Sequence, residues 1–247
     1  MNRQIIISSI FVSLLLVLSI LYGFSKNRNL DRNVYSIQVN FADGDNSFLT
    51  HETVNKLLIQ SEVAVINKAK RIIDLHSLEE KVLANPYVDK AKVFVTPGGL
   101  IKTHISQKEP IARIISGDQM FYIDDEGYEF PLSTNYSARV PLVKGENLSS
   151  NIEEITKLIR FISKDDFLKK EITGVRVTNI KEYILHVRSG DYTIHFGKFD
   201  NVNVKFKKLK AFYNKSLKDK SINKYETINL KYRNQVVCTK QNQDGKQ

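Results

Sequence analysis

The chain opens with an apolar stretch that is long enough to cross a membrane. Residues Ile5 to Phe24 carry no charge over twenty positions, and a helix of that length spans about 30 Å, the hydrocarbon thickness of a bilayer. A cleaved signal peptide is the alternative, but its apolar region is usually about 7–15 residues long and ends at small side chains. In this chain the apolar stretch ends in Tyr22-Gly23-Phe24-Ser25-Lys26, which is a poor cleavage site. The pattern therefore predicts an uncleaved transmembrane helix over residues 5–24.

The flanks of this stretch are short and basic. We expect residues 1–4 to form a cytoplasmic tail and residues 25–33 to form a polar juxtamembrane linker. Arg3 precedes the apolar stretch, whereas Lys26, Arg28 and Arg32 follow it, offset only by Asp31. Lysine and arginine favour the cytoplasmic side of a membrane. The local charge count alone therefore favours keeping the rest of the chain in the cytoplasm.

Two helices follow a first strand in the next region. Residues Val34 to Phe41 alternate apolar and polar positions, as strands do. Thr50 can cap a helix with apolar positions at Val54, Leu57 and Leu58. Ser77 and Glu80 have capping-box spacing for a second helix, which Asn85-Pro86 would end. Its apolar side consists of Leu75, Leu78, Val82 and Leu83.

A hairpin completes this region. Val88 to Thr96 and Leu100 to Ser106 read as strands around the turn Pro97-Gly98-Gly99, and Pro110 prevents further pairing. The predicted order is strand, helix, helix, strand, strand. Leu78 and Val82 should pack on the sheet face that carries Ile101, Thr103 and Ile105.

A second folded region is predicted from Phe121 onward. A hairpin joins Phe121–Ile123 to Tyr128–Phe130, a short strand covers 140–143, and an isoleucine stripe from Ile152 to Ile162 indicates a helix. Further strands are expected at 175–178, 183–188 and 192–196, then a lysine-rich helix at 203–217 and closing strands at 225–232 and 235–240. The pattern favours an α+β fold whose second domain is β-rich with flanking helices. We expect the polar tail, residues 241–247, to be disordered.

The composition narrows the functional classes. The net charge is +10 and 42% of residues are hydrophobic, so the chain can build cores and is not a disordered protein. A basic total suggests nucleic acid or an anionic membrane as a partner. Cys238 is the only cysteine, which excludes an intrachain disulfide and a CxxC redox pair.

Four segments of the chain carry distinctive motifs: Leu75 to Ile114, with NPYV and KEPIA; Phe121 to Phe130, FYIDDEGYEF; Val140 to Gly145, VPLVKG; and Tyr225 to Lys240, YETINLKYRNQVVCTK. In these motifs and in their order the chain resembles the bacterial cell-division family FtsQ/DivIB, in which a POTRA domain follows a single transmembrane helix. The resemblance implies a POTRA domain over residues 34–110 and a β-domain over 111–240. It also implies an extracytoplasmic location, opposite to the local charge count.

A partner-binding strand is expected near the end of the chain. A final strand often lies at a sheet edge, where its unpaired backbone groups can accept a strand from another protein. FtsQ-like proteins bind an FtsB-like partner in this region, and the family's binding positions fall on Tyr232, Asn234 and Thr239, with Lys240 where some members have an aromatic residue. The expected binding residues are Tyr232, Asn234, Gln235, Val236, Val237, Cys238 and Thr239.

Other site types are less well supported by the sequence. His186 and His195 could share a sheet face, but no third metal ligand is in register, and Asp124-Asp125-Glu126 reads as a solvated turn rather than a cation site. No Ser/His/Asp ordering, phosphate loop or HExxH motif occurs. We therefore expect no catalysis, no metal and no cofactor.

The lysine-rich helix is the strongest nucleic-acid signal. Its apolar positions, Val204, Phe206, Leu209 and Phe212, favour a core-packed helix with a basic solvent face. An acidic partner or membrane remains open, and nucleic acid is not expected outside the cytoplasm. Its lysines are Lys205, Lys207, Lys208, Lys210, Lys215 and Lys218.

These observations predict a plasma-membrane protein of the division septum that recruits FtsB- and FtsL-like proteins. One alternative is a POTRA protein of outer-membrane assembly or secretion, but about 120 residues after the hairpin cannot encode both a transmembrane barrel and the predicted helices. A membrane-anchored envelope enzyme is the other alternative.

Overall fold

The computed structural model describes residues 2–42, 48–59, 65–145, 148–219 and 221–241. The chain divides into two compact units, Met1–Lys108 and Glu109–Gln247. The sequence analysis placed the corresponding domain boundary after residue 110. The fold is mixed α/β with an N-terminal apolar helix, as expected.

The apolar stretch forms one long helix, α1 (Asn2–Leu30). Its large side chains from Ile6 to Phe24 are exposed, and in the described part of the chain it is the one helix long and apolar enough to span a membrane. The predicted linker at 25–33 is wrong for most of its length, because α1 continues to Leu30. Residues 25–30 contain no glycine or proline to interrupt the hydrogen-bond ladder.

The first unit has the predicted order of strand, helix, helix, strand, strand. Within the described residues its sheet has the order β1-β3-β2, with β1 parallel and β2 antiparallel to β3. A short 3₁₀ turn, Lys70–Ile72, precedes the second of these helices. The elements are β1 (Ser36–Phe41), α2 (His51–Ile59), α3 (Leu75–Leu83), β2 (Val88–Val95) and β3 (Leu100–Gln107).

The predicted cap of α3 is wrong, but the packing of its buried side is correct. Asp74 is the N-cap and accepts the Ser77 backbone N–H at 3.0 Å, so the capping box of Ser77 and Glu80 does not form. An aspartate one residue before the helix reaches the free N–H groups of the first turn directly. Leu78 and Val82 join Ile101 and Ile105 in one core, and Thr103 is buried with them, whereas Leu83 is 42% exposed.

The second unit is built on one mixed sheet. Among the described strands the order is β12-β11-β10-β9-β8-β7-β4-β5-β6. The elements are β4 (Ala112–Ser116), β5 (Gln119–Ile123), β6 (Glu129–Pro131), β7 (Leu142–Gly145), α4 (Ile152–Ser163), α5 (Asp166–Glu171), β8 (Ile172–Val177), β9 (Tyr183–Val187), β10 (Thr193–Gly197), α6 (Val202–Lys218), β11 (Tyr225–Asn229) and β12 (Val237–Lys240).

Two of these elements were not predicted, and others have bounds that differ from those predicted, such as β8, which was expected at 175–178 and lies at Ile172–Val177. β4 has only five residues and follows a proline, and α5 has only six, so neither gives a clear hydrophobic period. The strand predicted at 140–143 lies at Leu142–Gly145, because its neighbours β4 and β8 fix the register through Arg113↔Leu142 and Leu142↔Gly174.

Helices cover one face of this sheet and form the larger core. The isoleucines of α4 and the Phe206, Leu209 and Tyr213 side chains of α6 pack against buried strand residues such as Leu185 and Ile194. The core also contains a polar cluster, in which the buried Glu171 carboxylate accepts a hydrogen bond from the Tyr213 hydroxyl at 3.0 Å. Tyr192 in turn donates to Tyr213 at 2.6 Å. This cluster joins α5 and α6 to the segment that enters β10.

Candidate functional site

The last two strands form a hairpin at one edge of the second sheet. β12 pairs only with β11 among the described strands and is therefore the edge strand. The antiparallel register sets Thr227 opposite Thr239 and Asn229 opposite Val237. One side of β12 consequently has no neighbouring strand among the described residues, as the sequence predicted for a final strand.

Two hydrogen bonds identify the backbone groups that point outward from this edge. The Leu230 N–H donates to the His195 backbone oxygen at 2.9 Å, so the backbone N–H and C=O groups of even-numbered residues in β11 point towards β10. The Gln241 N–H donates to the Lys224 backbone oxygen at 2.9 Å, so the backbone groups of odd-numbered residues in β12 point towards β11. Backbone groups alternate sides along a strand. Those of Cys238 and Lys240 therefore point away from the sheet.

The seven predicted binding residues lie together, but the strands that carry them are shorter than predicted. Tyr232, Asn234, Gln235 and Val236 lie in the loop that joins the two strands, whereas Val237, Cys238 and Thr239 belong to β12. The predicted strand at 225–232 ends at Asn229, because the Asn229 side chain accepts the Lys231 N–H at 3.0 Å and turns the chain.

The side chains of this hairpin divide into a half-buried and an exposed set. Val236 and Cys238 are half-buried against the core of the unit, and burial raises the pKa of the Cys238 thiol. Tyr232, at 49% exposure, and Val237, at 38%, are large apolar side chains left in solvent. Aromatic residues in such positions are frequent anchors at protein interfaces.

The loop before β12 is held by a lysine that the sequence analysis did not assign to the site. The Lys208 ammonium of α6 donates to the backbone oxygen of Leu230 at 3.2 Å and also to that of Tyr232. Burial, followed by the charge of Lys205, lowers the pKa of Lys208. Lys231 pairs with Glu182 at 3.1 Å. Only the basic character of α6 pointed to Lys208, since its contacts join residues more than twenty positions apart.

Three lysines of α6 have structural partners. Lys205 is buried over the Phe196 ring and pairs with Asp200, Lys210 pairs with Asp165, and Lys208 holds the loop described above. The remaining predicted lysines, Lys207, Lys215 and Lys218, are exposed. Three of the six predicted lysines of α6 therefore stabilise contacts between this helix and neighbouring segments.

The other candidate sites do not assemble into a metal centre. His186 and His195 lie on neighbouring strands, opposite Thr193 and Ile184, and burial lowers the pKa of both imidazoles. No group of three or more potential ligands occurs among the described residues. The Asp124 carboxylate accepts the backbone N–H groups of Glu126 and Tyr128 at 3.0 and 2.8 Å, which explains this aspartate as part of a turn.

Comparison with known families agrees with this architecture. Residues 34–106 match the model of a POTRA-like domain, which spans β1 to β3. Residues 109–239 match the family model described as FtsQ/DivIB, C-terminal related, which runs from the start of the second unit into β12. None of the curated proteins compared with the chain matches it. Since the second match alone covers more than half of the sequence, the chain belongs to the FtsQ/DivIB family.

Proposed function

We propose that this protein is a non-enzymatic component of the division machinery that recruits other division proteins at the septum. Membership of the FtsQ/DivIB family implies a role in cell division, and the family generally has no catalytic activity. In this proposal α1 anchors the protein in the plasma membrane, and residues 33–247 lie outside the cytoplasm. The recruiting surface is the free edge of β12.

The observation that carries this proposal is the outward row of backbone groups on β12. The N–H and C=O groups of Cys238 and Lys240 point away from the sheet in an extended strand, where they can continue the ladder. A partner strand that pairs there gains main-chain hydrogen bonds without changing the sheet. The expected partners are FtsB- and FtsL-like membrane proteins, bound by strand addition.

The side chains around the edge favour an acidic partner segment. Arg233 and Lys240 are exposed beside the strand, and Glu226 is the acidic residue of the hairpin. Tyr232 and Val237 offer apolar area next to these charges. A segment with alternating apolar and acidic side chains would complement both features.

Replacing Cys238 by proline tests the backbone contribution. Proline removes the outward N–H at this position, whereas Cys238→Ser keeps the N–H and nearly the same side-chain size. We expect Cys238→Pro to lower the affinity for the FtsB-like ectodomain at least tenfold and Cys238→Ser to leave it within about twofold of wild type. The measurement is a titration of the full chain in nanodiscs. Equal affinity of the two folded variants would exclude strand addition at β12.

Replacing Tyr232 by alanine tests the side-chain contribution. If the ring becomes a buried anchor in the complex, its loss should cost about 2 kcal/mol, or roughly 30-fold in affinity. Tyr232→Phe is the matched control and should retain most of the affinity, because the apolar area is preserved. An unchanged affinity for Tyr232→Ala would remove this residue from the interface.

A further inference from the structure

A buried lysine connects the C-terminal end of α1 to the rest of the first unit. The Lys70 ammonium donates to the Asn29 side-chain oxygen at 2.6 Å and to the backbone oxygens of Thr96 and Pro97 at 3.1 and 2.7 Å. The Arg32 guanidinium also donates to the Pro97 oxygen, at 3.2 Å. The last turn of the helix is therefore held beside the turn that joins β2 to β3.

A groove of about 550 Å³ lies at this junction. Residues with helical spacing on α1 form one wall and Pro97 contributes to the other. The lining residues are Tyr22, Ser25, Lys26, Arg28, Asn29, Arg32 and Pro97. Three of them are cations and none is acidic.

The carboxylate next to the groove in sequence has another partner. Asp31 is adjacent in sequence to the lining residue Arg32, but it pairs with Arg71 at 3.0 Å. Burial, followed by the charge of Arg32, lowers the pKa of Lys70, as expected for an ammonium group removed from water beside a second cation. Among the described residues that line it, the groove therefore presents positive charge and hydrogen-bond donors but no carboxylate.

The position of the groove along α1 determines how deep it would lie in a membrane. The uncharged stretch ends at Phe24, and Lys26 and Arg28 lie within the next turn. If α1 spans the bilayer, these residues lie at the level of the lipid headgroups. The Tyr22 and Phe24 rings are exposed, and in such a membrane they would lie beside the acyl-chain boundary. A ligand here would have its anionic part in the groove and its apolar part along the helix.

We propose that this groove binds the phosphate headgroup of an anionic membrane lipid. Lysine and arginine side chains are the groups that bind phosphate, and arginine can do so through two parallel hydrogen bonds. The inference rests on the membrane anchoring in the proposed function, but it holds for either orientation of α1. It also gives a structural role to the basic residues after the uncharged stretch, Lys26, Arg28 and Arg32, which a charge count would interpret as a cytoplasmic marker.

The test compares lipid retention by native mass spectrometry of the full chain released from nanodiscs. The nanodiscs contain equal amounts of phosphatidylglycerol and phosphatidylcholine. The groove variant is Lys26→Gln/Arg28→Gln, which leaves the Arg32–Pro97 bond intact. The control is Lys81→Gln/Lys92→Gln, which removes two exposed charges of the same unit.

We expect wild type and control to retain phosphatidylglycerol at least fivefold over phosphatidylcholine, and the groove variant to lose this preference. The proposal would be overturned if wild type and groove variant retained phosphatidylglycerol equally. It would also be overturned if the control variant lost the preference for phosphatidylglycerol as fully as the groove variant. Displacement of the bound lipid by inorganic phosphate would also overturn it, because the site would then select a soluble anion. Partner affinity measured in the same nanodiscs reports on the β12 edge separately. Release of the chain from membranes by carbonate would instead refute the anchoring.

Discussion

Single residues in this protein show which contacts a sequence pattern can identify. Leu78 and Leu83 both belong to the apolar side predicted for α3, yet the first is 5% exposed and the second 42%. The helical period identified Leu78 and Val82 correctly, because the buried face recurs every three or four residues. The period could not exclude Leu83, since the width of the buried stripe depends on the sheet beneath it.

Truncating Leu78 should destabilise the first unit strongly. Leu78→Ala leaves a cavity against Ile101 and Ile105 and should cost about 2–5 kcal/mol. Leu83→Ala, on the exposed side of the same helix, should cost much less. Thermal unfolding of the full chain in detergent measures both. Equal melting of the two variants would contradict the packing of α3 described above.

Asp165 should make the second unit sensitive to acid. The Lys210 ammonium, assisted by the N–H groups at the start of α5, lowers the pKa of the Asp165 carboxyl. Its contribution to stability is therefore complete above the unfolded pKa near 3.9 and is lost as the pH falls through the lower folded value. The measurement is the melting temperature of the full chain between about pH 6 and pH 3.

The variant Asp165→Asn isolates the charge, because asparagine can still cap α5. We expect its melting temperature to fall less than that of wild type over the acid range. Asp166→Asn changes an exposed neighbour and should follow the wild-type curve. Parallel curves for wild type and Asp165→Asn would show that the Lys210 pair does not contribute.

Secondary-structure elements were predicted where their hydrophobic period was long. The order of β1 to β3 and the stripe of α4 followed from the pattern, whereas five-residue β4 and six-residue α5 did not. The parallel pairing of β1 with β3 joins residues such as Val39 and Thr103, which are far apart in sequence. No local pattern encodes that contact, so the sequence predicted the order of these strands but not their pairing.

The turn between β2 and β3 requires glycine at one of its two glycine positions. Gly99 has φ +96°, and a Cβ there would lie 2.4 Å from the Asn33 oxygen, whereas at Gly98 the nearest contact is 3.9 Å to the Thr96 side chain. Gly99→Ala should therefore destabilise the first unit by about 1–3 kcal/mol, and Gly98→Ala should have little effect. Thermal melting of the two variants provides the comparison. A similar loss in both would mean that the turn tolerates a side chain at Gly99.

The whole molecule combines an apolar helix long enough to span a membrane with folded units, and the sequence indicated this layout without fixing its orientation. The charges that follow the uncharged stretch, Lys26, Arg28 and Arg32, argue for a cytoplasmic location by number alone. In the structure all three line the groove beside Pro97, so their number does not by itself decide on which side of the membrane the folded units lie. Orientation therefore has to be measured.

We predict that residues 33–247 are accessible from outside the cytoplasm. Protease added to spheroplasts should degrade both folded units while a cytoplasmic marker protein stays intact. Protection of both units until the membrane is lysed would place them in the cytoplasm and contradict the proposed division role. The same experiment on inverted vesicles should give the opposite pattern.

The outermost position of β12 has a consequence for the timing of assembly. Every other described strand of its sheet precedes β12 in the chain, so β12 is synthesised after the strands on which it must pair. Under the proposed function, the recruiting edge therefore forms only once the rest of that unit has crossed the membrane and folded. We expect a chain stalled during export, or one truncated before Val237, to stay anchored through α1 yet recruit no partner. Partner binding would then report that export and folding are complete.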